Sequence, residues 1–136
     1  MESDSLHQQL ADELWEADRT AKPVAPLTER YPSLVVEDAY AIQTINIDRR
    51  VADGQRIIGR KVGLTSAPMQ QLLGVNEPDF GVLTDEMFVE DGDLIDLGRL
   101  NQPRVEAELA FLMETDLAGP GVTTARASSA VSNIET

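Results

Sequence analysis

Arg104-Val105-Glu106-Ala107-Glu108-Leu109-Ala110-Phe111 alternates apolar and charged residues without a break. Strict alternation is the pattern of a β-strand with chemically distinct faces. Val105, Ala107, Leu109 and Phe111 are thereby predicted to face a core. Glu106 and Glu108 project from the other side, roughly 6 to 7 Å apart along the strand, a spacing that lets both carboxylates reach one hard cation. The pair is a candidate half-site for Mg²⁺ or Mn²⁺. The bland alternative is the solvated face of an edge strand, and the pattern by itself fits both.

The chain around this stretch has 136 residues, 42% of them hydrophobic and 26% charged, enough for one domain with one core. With 24 acidic against 11 basic residues its formal charge is −13. Such a chain is repelled by nucleic-acid phosphates and anionic membrane surfaces, so neither is an expected partner. The first twenty residues lack a basic segment followed by an unbroken apolar run, and the expected location is the cytoplasm. Cysteine is absent, which excludes disulfides, thiolate nucleophiles and sulfur-ligated zinc. His7 is the single histidine, expected on an exposed N-terminal helix where no triad or imidazole metal site can be assembled around it. Catalysis must then use carboxylates, lysine, hydroxyls or a metal. Lys22 and Lys61 are the two lysines.

Leu6, Leu10, Leu14 and Ala17, flanked by Ala11 and Trp15, recur at helical spacing and predict an amphipathic helix over 6–19. Tyr31-Pro32 marks residues 28–33 as a linker. Glu37 and Asp38 suit the start of a second helix, with Tyr40, Ile47 and Val51 on its apolar side and Gly54 as its stop. Residues 56–64 read as a strand in which Ile57, Gly59, Lys61 and Gly63 share a face. Glycines at i−2 and i+2 clear room around the Lys61 amine, although a surface lysine between bulge glycines has the same pattern. Thr65-Ser66-Ala67-Pro68 opens a short helix that Gly74 closes, and this junction could hold an anion. Asn76 to Gly81 is rich in breakers and reads as a turn carrying Asp79, either as a proton-transfer group or as an Asx-turn residue. Residues 87–89 and 94–97 are predicted to pair as a hairpin around Glu90-Asp91-Gly92-Asp93.

Three motifs in this order, Gly59-Arg60-Lys61-Val62-Gly63-Leu64-Thr65-Ser66, Glu77-Pro78-Asp79-Phe80-Gly81 and Pro103 to Phe111, resemble the 2-keto-4-pentenoate hydratases of the fumarylacetoacetate hydrolase superfamily. The likeness runs from Pro26 to Thr123. It implies an α+β fold: helices over 1–55, then a mixed β-rich sandwich or barrel-like catalytic domain of which 56–136 is the N-terminal, truncated part. It further implies Glu106 and Glu108 as ligands to Mg²⁺ or Mn²⁺, Lys61 as a catalytic or substrate-orienting cation, and Asp79 as an acid/base group. The implied reaction is hydration of 2-hydroxypenta-2,4-dienoate to 4-hydroxy-2-oxopentanoate in meta-cleavage catabolism of aromatic compounds or steroids. The resemblance implies a homo-oligomer and allows a complex with a pathway partner enzyme. The sister 2-oxo-3-hexenedioate (4-oxalocrotonate) decarboxylases share the same motifs. A third carboxylate ligand follows the second in this family, and residues 125–136 do not continue the pattern that carries it. Glu135, in Asn133-Ile134-Glu135, takes that place if a helical turn is deleted; otherwise the chain is a non-catalytic fragment or assembly subunit.

Overall fold

The computed structural model describes residues 2–135, with the side chains of Glu2 and Ser3 left aside. In chain order it contains α1 (Glu2–Thr20), α2 (Leu27–Arg30), α3 (Val36–Ala52), β1 (Ile57–Gly63), α4 (Ala67–Leu73), β2 (Asp79–Thr84), β3 (Ala110–Met113), α5 (Thr124–Ser129) and β4 (Val131–Glu135), an α+β set. Single 3-10 turns cover Asp85–Met87 and Leu97–Arg99. The chain divides into two compact units, Met1–Asn101 and Gln102–Thr136.

In the first unit the apolar stripe of α1 packs against α3. Leu10, Ala11 and Ile42 are fully or almost fully buried there, ringed by Leu6, Leu14, Leu27, Tyr31, Leu34 and Ile45. Polar ties cross the same seam. His7 Nε2 donates to Asp38 Oδ1 at 2.7 Å, and Asp38 Oδ2 accepts from the Val35 amide at 2.9 Å, so one carboxylate both caps α3 and binds α1. His7 is therefore mostly enclosed between helices, where an exposed position was expected, because the Asp38 carboxylate gives its ring N–H a partner. Arg49 pairs with Asp12 and Arg50 with Asp18, and both guanidinium groups lie over the Trp15 ring at 5.9 and 5.3 Å.

Two local expectations give way here. Residues 28–33 are not all linker: Leu27–Arg30 makes one helical turn, held by the Arg30–Glu13 fork to α1 at 2.7 and 3.0 Å. Around Gly92 the turn forms, with the Asp93 amide donating to the Glu90 carbonyl at 3.1 Å, but 87–89 and 94–97 do not become paired strands. Leu94 is 98% exposed, so no apolar face drives that pairing.

β1 and β2 are antiparallel, with Lys61 opposite Gly81, Val62 opposite Phe80 and Gly63 opposite Asp79. Their far end is latched by Asp85, whose carboxylate accepts from the Arg56 amide and Nε, both at 2.9 Å.

In the second unit β3 and β4 are antiparallel, with Ala110 opposite Glu135 and Leu112 opposite Asn133. Thr123 caps α5 by accepting from the Arg126 amide at 3.3 Å. The strand predicted over 104–111 begins only at Ala110; residues 103–109 have no regular structure. Among the described residues β4 pairs with β3 from Ala110 onward and no strand pairs with 103–109, and a segment outside a sheet gains no ladder hydrogen bonds. Val105 is accordingly fully exposed.

Candidate functional site

Lys61 and Asp79 lie in the first unit, on β1 and β2. Directly opposed residues of an antiparallel pair share a sheet face, and so do residues two apart along either strand. Gly59, Lys61 and Gly63 of β1 therefore stand on the same face as Asp79, Gly81 and Leu83 of β2. Lys61 and Asp79 are diagonal neighbours on that face, roughly 7–8 Å apart by ladder geometry and within reach of one small ligand.

Three glycines make up half of this face, and two of the three have a visible reason. A Cβ on Gly63 would overlap Asp79 Oδ1 and stand 3.0 Å from its Cγ, so the Asp79 carboxylate lies in the space a side chain at 63 would take. A Cβ on Gly81 would meet Lys61 Cβ at 3.9 Å, an ordinary contact, so Gly81 leaves an open margin beside the lysine stem. Asp79 is the first residue of β2, where a loop position was expected. The Pro78 ring ends the turn one residue early and Asp79 is already paired with Gly63.

Beyond Gly63 the chain leaves the sheet through Leu64 at φ +52°, a left-handed conformation that costs a non-glycine residue about 1 kcal/mol. Gln70 Nε2 donates to the Leu64 carbonyl at 2.7 Å and fixes this turn. Helix α4 follows as the Ser66-Ala67-Pro68 pattern predicts, and Gly74 ends it at φ +70°. Ser66 makes no side-chain cap bond and Pro68 has no N–H to offer, which leaves the expected anion-holding junction poor in donors.

Two residues of α3 touch this sheet: Tyr40, expected on the apolar side of that helix, and Gln43, which local pattern did not single out. Tyr40 Oη accepts from the Phe80 amide at 3.1 Å, and Gln43 Nε2 donates to the Phe80 carbonyl at 3.3 Å. Their i, i+3 spacing on α3 was legible as a shared helix face, but not what that face would meet.

Glu106 and Glu108 lie in the irregular 103–109 segment of the second unit, and Glu135 ends β4. Glu135 shares a face with Ala110, which has the same strand parity as Glu106 and Glu108. By donor type these glutamates suit Mg²⁺ or Mn²⁺. Among the described residues, however, no three carboxylate or imidazole groups come together to hold a metal, so the unit in this arrangement does not fit the ion. The gap has a cause: the two glutamates project from one face only once their segment is a paired strand.

No helix among the described residues is long and apolar enough to cross a membrane. No protein-family model matches the chain. It is 50% identical over 110 residues to a 2-keto-4-pentenoate hydratase of Paraburkholderia xenovorans, covering 81% of this chain and 41% of that protein. A 2-hydroxyhexa-2,4-dienoate hydratase of Comamonas testosteroni is 51% identical over 112 residues, with 81% and 42% covered. The chain thus spans about two fifths of the length of these relatives. Among solved structures, a 4-oxalocrotonate decarboxylase of Pseudomonas putida G7, complexed with calcium and acetate, superposes with a TM-score of 0.91 at 30% identity, over 96% of this chain and 51% of that one. The same enzyme complexed with magnesium and adipate gives 0.88. Half of the matched residues are identical to hydratases and the fold is that of the matching half of a fumarylacetoacetate hydrolase-type enzyme, so over its matched length the chain is similar to the N-terminal half of 2-keto-4-pentenoate hydratases.

Proposed function

We propose that this chain carries the Lys61 and Asp79 part of a hydro-lyase site that converts 2-hydroxypenta-2,4-dienoate to 4-hydroxy-2-oxopentanoate. The single observation behind it is the shared face on which Lys61 and Asp79 stand diagonally, with glycines at 59, 63 and 81 keeping bulk away from them. A 2-hydroxy-dienoate has a carboxylate that the Lys61 ammonium attracts, and an enol whose proton must move before water can add. Asp79 relays that proton: the 2-hydroxyl loses H⁺, C5 gains H⁺, and the product is the conjugated 2-oxo-3-enoate. Water then adds with its oxygen to C4 and a proton to C3. An ammonium near the 2-oxo group stabilises the enolate charge that builds up in this second step.

Glu106 and Glu108, with Glu135 as the third candidate, are our proposed donors to Mg²⁺ or Mn²⁺, on condition that segment 103–109 gains a strand partner. Assembly as a homo-oligomer in the cytoplasm, in complex with a pathway partner enzyme, belongs to the same proposal. Decarboxylation of 2-oxo-3-hexenedioate is the second reading, favoured by the superposition on a 4-oxalocrotonate decarboxylase. Identity of 50% to hydratases against 30% to that enzyme ranks hydration first.

Substituting this sequence for the matching stretch of the Paraburkholderia relative gives a full-length chimera in which the proposal is tested. Loss of dienoate absorbance, abolished by Lys61→Met, supports hydration. Release of CO₂ from the dicarboxylate without hydration of the monocarboxylate supports the second reading. A chimera that folds and turns over neither substrate makes this chain a non-catalytic subunit.

A further inference from the structure

Phe80 stands opposite Val62, and its N–H and C=O both bond to α3: the amide to Tyr40 Oη at 3.1 Å, the carbonyl from Gln43 Nε2 at 3.3 Å. In an antiparallel ladder alternate residues turn both backbone groups away from the partner strand, so Phe80 presents one donor and one acceptor at the outer edge of β2. Tyr40 and Gln43, one helical turn apart and half-buried, supply the complementary acceptor and donor. They occupy the place a neighbouring strand would take.

We infer that Tyr40 and Gln43 are positioning residues for Asp79, holding the β2 edge so that the adjacent carboxylate stays over Gly63 on the Lys61 face. The reason is mechanical. Asp79 is the first residue of β2, where strands fray, and the peptide joining it to Phe80 is tied on one side to Gly63 and on the other to α3. Removing either α3 bond leaves a backbone group at this edge to water and lets the strand end swing. Asp79 then samples rotamers away from Gly63. The inference rests on the reading of Asp79 as the proton-transfer group, but its test does not depend on turnover.

The test is NMR on the 136-residue chain. In Tyr40→Phe and in Gln43→Leu the Phe80 amide should exchange at least tenfold faster, and the nuclear Overhauser contact between the Asp79 β-protons and the Gly63 α-protons should fall by half or more. Gln43→Lys, which keeps a donor, should restore most of both. Ile45→Val, which loosens α3 packing without touching Phe80, should change neither. Unchanged Phe80 exchange in both variants overturns the inference, and so does faster exchange with the Asp79–Gly63 contact intact. If the contact is lost as expected while Asp79→Asn in the chimera keeps its rate, the positioning stands and the catalytic reading of Asp79 falls.

Discussion

The carboxylate of Asp79 fills the space that a β-carbon on Gly63 would occupy, so the identity of residue 63 and the placement of residue 79 are one decision. Gly63→Ala should cost little stability, because losing a strand glycine returns about 0.5–1 kcal/mol and the exposed Asp79 side chain can rotate away. Rotation is what removes it from the Lys61 face. We expect Gly63→Ala in the chimera to fold normally and lose most of the kcat that Asp79→Asn loses, with the double variant no worse than either. Full additivity of the two losses would show that they act separately.

Lys61→Met should lower kcat/KM by about a hundredfold or more, the usual loss for a positioned electrostatic or proton-transfer group. Asp79→Asn keeps the size and most turn hydrogen bonding of the residue it replaces, so it separates chemistry from scaffolding. Lower thermal stability with an unchanged rate per folded molecule would assign Asp79 to the turn alone.

Acid should expose the carboxylate latches. Backbone and side-chain hydrogen bonds from Arg56 hold the Asp85 carboxyl below its ordinary value of 3.8, and the Val35 amide and His7 do the same for Asp38. A carboxyl depressed in the folded state stabilises the fold above its unfolded pKa, and that stability is lost as pH falls through the folded value. Removing Asp85 removes its share. The stability difference between the parent chain and Asp85→Asn should hold steady from neutral pH to about pH 4 and shrink below it, as read by urea unfolding at each pH. A constant difference down to pH 2 would contradict the latch.

Metal binding by the 136-residue chain should be weak. Two carboxylates on an irregular segment meet a divalent ion with too few fixed oxygens, and Glu135 does not gather with them among the described residues. A Mn²⁺ titration should show no saturable one-to-one binding at micromolar concentrations, and Glu135→Gln should change nothing. Tight stoichiometric binding lost in Glu135→Gln would make Glu135 a true third ligand.

The second unit should also associate. Leu109, Phe111 and Ile134 are 61%, 55% and 54% exposed around a two-stranded sheet, which is marginal in water without cover. Light scattering should report oligomers at tens of micromolar, and Phe111→Asp should shift them toward monomer.

What was legible in the sequence was the local part. The Leu6-Leu10-Leu14 stripe, the Ser66-Ala67-Pro68 start with its Gly74 stop, and the Gly59-Lys61-Gly63 alternation each carry their own geometry, and each forms the element it predicts. Strand signals that need a distant partner are the ones that failed: 105–109 alternates as well as 57–63 does, yet β1 has β2 beside it and, among the described residues, no strand pairs with 105–109. The four-residue helix at Leu27 was hidden because its support is the tertiary Arg30–Glu13 fork. Gln43 escaped for the same reason, and Tyr40 was legible only as part of an apolar helix side, since their target lies some forty residues on.

Asp38 serves both the first turn of α3 and the ring of His7. Nucleating that helix and seating it on its neighbour are therefore not separate events: a chain that has not yet docked α1 lacks one of the two bonds that hold the capping carboxylate in place. The two helices should open and close as a single cooperative unit in hydrogen exchange, with the Val35 and Asp38 amides losing protection together with those around Leu10 and Ala11 instead of fraying ahead of them.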